Sequence, residues 1–439
     1  MNTPITAILL AGGDSTRFWP FTDKVTLSFL GKPLISRHIE QLIRLGIGRI
    51  IVITNARNKE NVRQAVSSFP GPIDCAVQKG SGQGNALLSI KKLLADSRLL
   101  VLNASDVYED KLLDDLIKLS NSAPTHGFLA SIKTKTHFPG GYLLVSSEGT
   151  IREIVEKPSI GHEPSDVVRI VADIFPSSRV ITEALESQKG NAPSGYEAAI
   201  NTCIKSGLQC KPLITGDTWR KLKYPWHVLE VMEGFLSTVR GQQIAKSADI
   251  RKGVILEGPL LIEDGVKILE NTKIVGPCFI GADTIIGNSN IIRESHIGSK
   301  CVTGFNTDIT RSYIGNQCWF HSNYIGDSVL DTKVNMGSGS VLANLRLDEG
   351  EIYSTVKEER INTQKVKLGA MIGCNVGIGV NTSIMPGIKI GSNTLVGAGI
   401  VLDKDVSDES FCVRQDTLTV LANRHRQKDR ERETFRRKI

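Results

Sequence analysis

The chain has 439 residues, a length that implies more than one compact core. With 40% apolar and 23% charged residues it reads as soluble and globular, and no apolar run approaches the roughly 20 residues of a membrane span. The net charge is +7; the segment from Arg424 onward holds eight Lys/Arg against three acids, or +5, which leaves +2 for the body and argues against a basic nucleic-acid-binding surface.

Eight cysteines are scattered without a C-x-x-C pair, so zinc is not expected and the thiols read as reduced ones in a cytoplasm. The N-terminus lacks a basic start and a cleavage site, so no signal peptide is expected and the expected location is cytoplasmic.

In chain order, residues 5–10, 49–54, 99–103 and 127–132 are Ile/Val/Leu-rich runs that predict strands. Residues 35–45, 59–68, 86–95 and 112–120 are amphipathic and predict helices. The alternation predicts a doubly wound α/β domain whose ligands bind beyond the carboxyl ends of the strands. Gly12-Gly13 follows the first strand, where glycines let backbone N–H groups approach a phosphate, and Asp106 follows the third. Taken alone, those residues also suit an ordinary turn and a helix N-cap. Residues 138–225 predict hairpins and short helices of the same domain, and Pro225 opens a linker helix.

From about residue 250 a six-residue beat sets in, kept by Ile262, Ile268, Ile274, Ile280, Ile286 and Ile292 and continued by Ile297. It is interrupted near 344–366 and resumes as IGCNVG IGVNTS IMPGIK. This period predicts a parallel β-helix with an aliphatic residue pointing inward at each repeat. The expected division is a nucleotide-binding domain over 1–225, a linker helix over 226–248, the β-helix over 249–405 and a basic tail over 406–439.

The stretch LAGGDSTRFWPFTDKVTLSFLGKP, with Leu10, Ala11, Gly12, Gly13, Thr16, Arg17, Lys24 and Gly31-Lys32-Pro33, resembles the signature of sugar-1-phosphate nucleotidylyltransferases. The spacing of Lys24 to Gly31 is similar to that of the N-acetylglucosamine-1-phosphate uridylyltransferases. The resemblance implies that residues 10–13 bind a nucleoside triphosphate, that Arg17 and Lys24 are the catalytic cations, and that Asp106 in NASDVY holds Mg²⁺. QKGSGQGNAL resembles the nucleobase segment, which implies base contacts at Gly80 and Ser81. Gly141 and the Glu156-Lys157-Pro158 triplet resemble the sugar-binding elements.

The hexapeptide beat resembles the left-handed β-helix of acyltransferases, and the quartet His321, Tyr324, Asn335 and Asn344 resembles an acetyltransferase site. It implies His321 as general base, Tyr324 and Asn335 on the sugar phosphate, Asn344 at the acetyl group, and Ala370 along the coenzyme A groove. It also implies acetyl-CoA as co-substrate, a sugar-1-phosphate as acceptor, and a homotrimer or dimer of trimers.

The chain departs from the pattern at five places. Ser15 replaces a loop glycine, and Cys75 replaces a base-binding glutamine for which Gln78 is an alternative. Val171 and Asp173 replace a polar residue and a glycine. Gly350 replaces a lysine, with Lys333 and Arg346 as nearby cations. Lys221 stands two residues after Trp219, where the family has its second metal ligand. An ammonium about 5 Å from a divalent ion costs about 5–7 kcal/mol at an effective dielectric near 20. Three readings stay open: Lys221 binds phosphate itself, Asp217 supplies the carboxylate, or the domain binds ligands without turnover. The expected function is nucleotidyl transfer to a sugar-1-phosphate plus acetyl transfer to an amino-sugar-1-phosphate. The alternatives are a nucleotidylyltransferase with a scaffolding β-helix, and a non-catalytic regulatory subunit.

Overall fold

The computed structural model describes residues 4–188, 195–216, 219–415 and 417–424. Asp217 and, within the basic tail, Asp416 and residues 425–439 lie outside them. The chain forms two compact units. The first comprises Met1–Asp14, Val25–Leu27 and Pro33–Lys221; the second comprises Ser15–Lys24, Ser28–Lys32 and Leu222–Ile439.

The first unit is built on a mixed sheet. Strands β1 (Ile5–Leu10), β2 (Arg49–Thr54), β3 (Ile73–Val77) and β4 (Arg98–Asn103) run parallel in the order β3-β2-β1-β4. The long strand β5 (Val167–Phe175) adds to β4 antiparallel, so the sheet is not parallel throughout. β1 is apolar apart from Thr6, whose hydroxyl pairs with that of Ser97, because helices cover both faces of the sheet. Its alternate residues divide accordingly: Ala7, Leu9 and Ala11 enter one core cluster, Ile8 and Leu10 the other. Helices α1 (Leu34–Arg44), α2 (Lys59–Val66) and α4 (Asp110–Ser122) contribute to the first cluster. Helices α3 (Gln83–Ser89), α5 (Ser178–Ser187) and α6 (Tyr196–Lys205) contribute to the second. Helix α3 starts and ends earlier than the predicted 86–95: Gly82 sits at φ 86° before its first turn, and a short 3-10 turn takes over at Lys91–Leu93.

In the second unit, helix α7 (His227–Leu236) is shorter than the expected linker, and the first rung of the β-helix is already Gln242–Ile244. Three parallel ladders wind upward. One face runs from Gln242–Ile244 to Lys389–Ile390, a second from Asp249–Ile250 to Ser410–Gln415, and a third from Ile255–Glu257 to Val401–Leu402. The isoleucines of the six-residue beat all lie in a single interior cluster. Polar corner residues such as Asn271, Asp283, Asn381 and Asn393 take positive φ, which short polar side chains tolerate. The interruption near 344–366 is an antiparallel hairpin, Ile352–Val356 with Glu359–Lys365, set between two rungs.

From Phe279 onward the outward side chains of the first face (Phe279, His296, Tyr313, Val329, Met371 and Lys389) are buried, while Gln243 below them is exposed. Part of their cover is the N-terminal sequence itself. Phe29 packs between Tyr313 and Phe235 of α7, and the Tyr313 hydroxyl donates to the Ser28 carbonyl at 2.9 Å.

Candidate functional site

In the first unit the carboxyl ends of β1 and β4 are adjacent, with Leu10 paired to Asn103. The chain leaves β1 through Ala11, Gly12 and Gly13. Asn58 Nδ2 donates to the Ala11 carbonyl at 2.9 Å, and Asn55 Nδ2 reaches the carbonyls of Gly12 and Gly13 at 3.4 and 3.3 Å. These asparagines brace the loop from the turn after β2, and the sequence reading missed both. A side chain at Gly12 would place its Cβ 2.2 Å from Gln78 Oε1, so any larger residue here would displace the end of this glutamine. Gln78 Nε2 donates to the Gly80 carbonyl at 3.0 Å, and Asn85 Nδ2 to the Ser81 carbonyl at 2.8 Å. Gly12, Gln78, Gly80 and Ser81 are thus one contiguous surface. Cys75 sits half-buried within β3, where burial raises its thiol pKa.

Asp106 is buried, and Trp219 Nε1 donates to its Oδ2 at 3.1 Å. The short strand Trp219–Arg220 pairs antiparallel with Val107–Tyr108, Trp219 to Tyr108 and Arg220 to Val107. Lys221 is the residue that follows this pair on one strand, and Asp106 the one that precedes it on the other. The Lys221 ammonium lies 5.1 Å from the Phe138 ring centroid, and Phe138 lies 6.2 Å from Trp219. Phe138 in turn closes on Gly140, where a Cβ would come within 2.8 Å of its ring. Gly141 pairs with Glu156 across the hairpin, and a Cβ at Gly141 would lie 3.1 Å from Glu156 Oε2. Lys157 Nζ pairs with Glu156 Oε1 at 2.8 Å. The structure therefore joins Asp106, Lys221, Gly141, Glu156 and Lys157 in one tract.

Behind that tract, Asp173 is fully buried and takes two bonds from Arg169, Nε to Oδ1 at 3.0 Å and Nη2 to Oδ2 at 2.5 Å, and one from the Tyr196 hydroxyl at 3.0 Å. Arg169 also reaches Glu197 at 3.0 Å. Burial raises the Asp173 pKa against the pull of Arg169. The departure at Asp173 thus belongs to a satisfied buried ion pair.

Arg17 and Lys24 belong to the second unit. Arg17 is exposed, and the Lys24 ammonium lies 5.4 Å from the Phe18 ring centroid. Ser15, at the expected glycine position, takes φ 54°, the left-handed conformation a glycine would supply without strain.

Higher in the second unit, His321 is exposed at the corner between the second and third faces. Its backbone is fixed on both sides: its N–H donates to Asn323 Oδ1 at 2.8 Å, and the Thr307 hydroxyl donates to its carbonyl. On the third face the Tyr324 hydroxyl donates to Asn344 Oδ1 at 3.3 Å. Asn344 Nδ2 donates to Asp327 Oδ2 at 2.5 Å, and Asp327 accepts from Arg311 Nε and Nη2 at 2.7 and 2.8 Å. Asp327 and Arg311 carry no motif and were missed by sequence. Asn335 lies on the second face, away from Tyr324, and both polar atoms of its amide are buried without a partner. The structure thus joins Tyr324 and Asn344 and leaves Asn335 apart.

Ala370, expected along the coenzyme A groove, is fully buried in the prism interior, two residues before the inward Ile372. Gly350 shares a cavity of about 410 Å³ with Arg346, Glu351, Tyr353 and Arg360. Arg346 is held by Asp348 through two bonds, at 2.7 and 2.5 Å, whereas the Arg360 guanidinium stacks on Tyr353 at 5.0 Å.

The nucleotidyl transferase family model matches residues 6–220. A bifunctional sugar-1-phosphate nucleotidylyltransferase/acetyltransferase from Sulfurisphaera tokodaii is 30% identical over 417 residues, covering 92% of this chain and 99% of the relative. This chain belongs to that family. The bifunctional protein GlmU of Methanococcus maripaludis is 29% identical over 427 residues, covering 95% of this chain and the whole of the relative, and that of Methanocaldococcus jannaschii is 27% identical over 429 residues, covering 94% of this chain and 98% of the relative. Similarity to the bifunctional family therefore runs through both units. Among the described residues no helix is long and apolar enough to cross a membrane, and no group of three or more His, Cys, Asp or Glu is arranged for a metal.

Proposed function

We propose that the protein acetylates an amino-sugar-1-phosphate with acetyl-CoA and transfers a nucleotidyl group from a nucleoside triphosphate to a sugar-1-phosphate. The observation that carries the reading is the hydrogen-bonded row Arg311–Asp327–Asn344–Tyr324. It fixes an amide and a phenol on one face of the β-helix, on the side where His321 is exposed.

In acetyl transfer, the His321 imidazole takes a proton from the sugar ammonium. The freed amine attacks the thioester carbon, the C–S bond breaks, and the proton lost by the attacking nitrogen passes to the departing sulfur, so that coenzyme A leaves as the thiol. Tyr324 and Asn344 orient the reacting groups. The resemblance alone assigns Asn335 to the sugar phosphate, since both polar atoms of its amide are enclosed within the second face. Since Asn335 lies on the second face, one chain does not complete the site, and a neighbouring copy brings that face to the third. The first face is covered by the chain's own segments, while Ile255, Ile291 and Val401 are exposed on the third. A homotrimer packed through the second and third faces satisfies both facts.

In nucleotidyl transfer, a phosphate oxygen of the sugar attacks the α-phosphorus and pyrophosphate leaves. Residues 10–13 and Gly80 present backbone to the nucleotide, Ser81 and Gln78 meet the base, Gly141, Glu156 and Lys157 meet the sugar, and Arg17 and Lys24 neutralise the triphosphate. Asp106 fits a Mg²⁺ that arrives with the triphosphate, since one carboxylate suffices when phosphates and water fill the remaining positions. That ion supplies charge neutralisation at the transferring phosphoryl group. Lys221, just beyond the strand pair that joins Trp219 to the Asp106 segment, contributes a second positive charge directly. The same observation favours a second reading, in which the first unit binds nucleotide without turnover. Two assays on the purified chain test the proposal: thiol release from acetyl-CoA with amino-sugar-1-phosphates, and pyrophosphate release with UTP, dTTP, GTP, CTP and ATP. His321→Ala should abolish the first and spare the second. Acetylation at the wild-type rate in that variant sinks the acetyltransferase assignment, and no pyrophosphate with any triphosphate leaves the second reading.

A further inference from the structure

The segment carrying Arg17 and Lys24 is packed as part of the β-helix unit. Its anchor is Trp19. The indole Nε1 donates to both carboxylate oxygens of Asp408 at 3.2 Å. Asp408 is set in place by the Ser392 N–H, which donates to its Oδ1 at 2.6 Å. The Lys389 ammonium lies 4.8 Å from the Trp19 ring centroid; Lys389 is buried on the first face and is itself paired with Asp405 at 3.1 Å. A Cβ at Gly373 would approach the Pro20 carbonyl to 3.1 Å, so the chain after Trp19 lies close on the coil. Phe18 is buried and packs on Phe21 at 5.4 Å, while Lys24 stands over the same Phe18. Arg17 is two residues from the indole, and Lys24 is held by the ring that adjoins it.

We propose that Trp19 and Asp408 are positioning residues for nucleotidyl transfer: they fix, from the last coils of the β-helix, where Arg17 and Lys24 present their charge to the triphosphate. This rests on the proposed role of those two cations. A triphosphate needs both cations at fixed spacing, and a shift of about 1 Å in a positioned group costs up to about a hundredfold in rate. The indole N–H is the one donor of Trp19 that fixes the ring's rotation against Asp408. Trp19→Phe keeps a ring over Lys389 and removes that bond. Asp408→Asn keeps an acceptor for it, and Asp408→Ala removes the acceptor.

The test uses the full-length chain and reads nucleotidyl transfer, acetyl transfer, melting temperature, and calorimetric binding of inorganic tripolyphosphate. Trp19→Phe and Asp408→Ala should each raise the KM for the triphosphate and weaken tripolyphosphate binding about tenfold. Asp408→Asn should stay within about twofold of wild type, and acetyl transfer should change by less than about twofold in all three. Should Asp408→Ala not fold, Trp19→Phe carries the comparison. An unchanged KM and unchanged tripolyphosphate binding in Trp19→Phe overturn the inference. So does a parallel loss of acetyl transfer, which marks a purely structural role, and so does a wild type that binds no tripolyphosphate. Wild type that binds tripolyphosphate through Trp19 yet releases no pyrophosphate retains the anchor and removes the proposed turnover.

Discussion

Asp327→Asn is the sharpest perturbation of the acetyl site. Asp327 touches neither His321 nor any expected substrate atom; its carboxylate holds the Asn344 amide on one side and the Arg311 guanidinium on the other. It is buried at φ 43°, a conformation asparagine tolerates, and the replacement has nearly the same volume. Backbone strain and cavity formation are therefore small. What changes is that an acceptor-only group becomes an amide whose NH₂ must face either Asn344 Nδ2 or Arg311, both donors. A hydrogen bond to a charged partner is worth about 1.5–3 kcal/mol. If that free energy keeps Asn344 Oδ1 turned toward Tyr324, its loss lowers kcat for acetylation about 10- to 150-fold, at about 1.4 kcal/mol per decade. Arg311 is 40% exposed at its side chain and regains water, so global stability should fall by only about 1–2 kcal/mol. Thiol release from acetyl-CoA measures the rate, and thermal unfolding measures the stability. A folded Asp327→Asn protein that acetylates within twofold of wild type would refute the idea that this carboxylate orients the site.

Three further outcomes follow from the geometry. Lys221→Asp puts a second carboxylate just beyond the strand pair that joins Trp219 to the Asp106 segment, so the Mg²⁺ concentration for half-maximal pyrophosphate release should drop about tenfold or more; an unchanged requirement contradicts a role for position 221 beside the metal. Arg360 lines the cavity beside Gly350 without the carboxylate partner that neutralises Arg346, so Arg360→Gln should raise the KM for the amino-sugar-1-phosphate about tenfold and leave that for acetyl-CoA alone. Equal effects on both substrates argue against a phosphate contact. Burial pushes the pKa of His38 down to about 4 from 6.5, while its Nε2 lies 3.1 Å from the Ala104 carbonyl. The unfolded chain then binds a proton that the folded chain refuses, so stability declines as pH falls from about 6.5 toward 4, by up to about 3 kcal/mol. Denaturant titrations of His38→Gln should show a correspondingly flatter acid limb, and a slope identical to wild type would remove His38 as its source.

The legible parts of the fold were those where each residue answers to a local rule. β1 and β4 have apolar centres because both sheet faces are covered, and the β-helix repeats because every sixth residue must fill the same prism. β3, with sequence IDCAV, escaped because its residues are only partly buried and it pairs on one side alone. The placement of Ala370 was recoverable: strand alternation puts it on the same inward side as Ile372, as Leu260 accompanies Ile262 and Cys278 accompanies Ile280. The motif-bearing site residues were legible in type, whereas the contact between Gly12 and Gln78 was not. The bracing residues were not legible. Asp327, Arg311, Asn55 and Asn58 act through contacts that carry no spacing rule. The bond of Trp19 to Asp408 joins residues 389 positions apart, a separation at which no periodicity speaks.

The central claim, two transfers in one chain, is tested most directly by a single incubation of the purified protein with an amino-sugar-1-phosphate, acetyl-CoA, each nucleoside triphosphate in turn and Mg²⁺, followed by mass spectrometry of the sugar products. The account predicts an N-acetylated nucleotide sugar, with the acetylated sugar phosphate still formed when the triphosphate is omitted. A sugar phosphate recovered without acetyl or nucleotidyl addition under every triphosphate would contradict it.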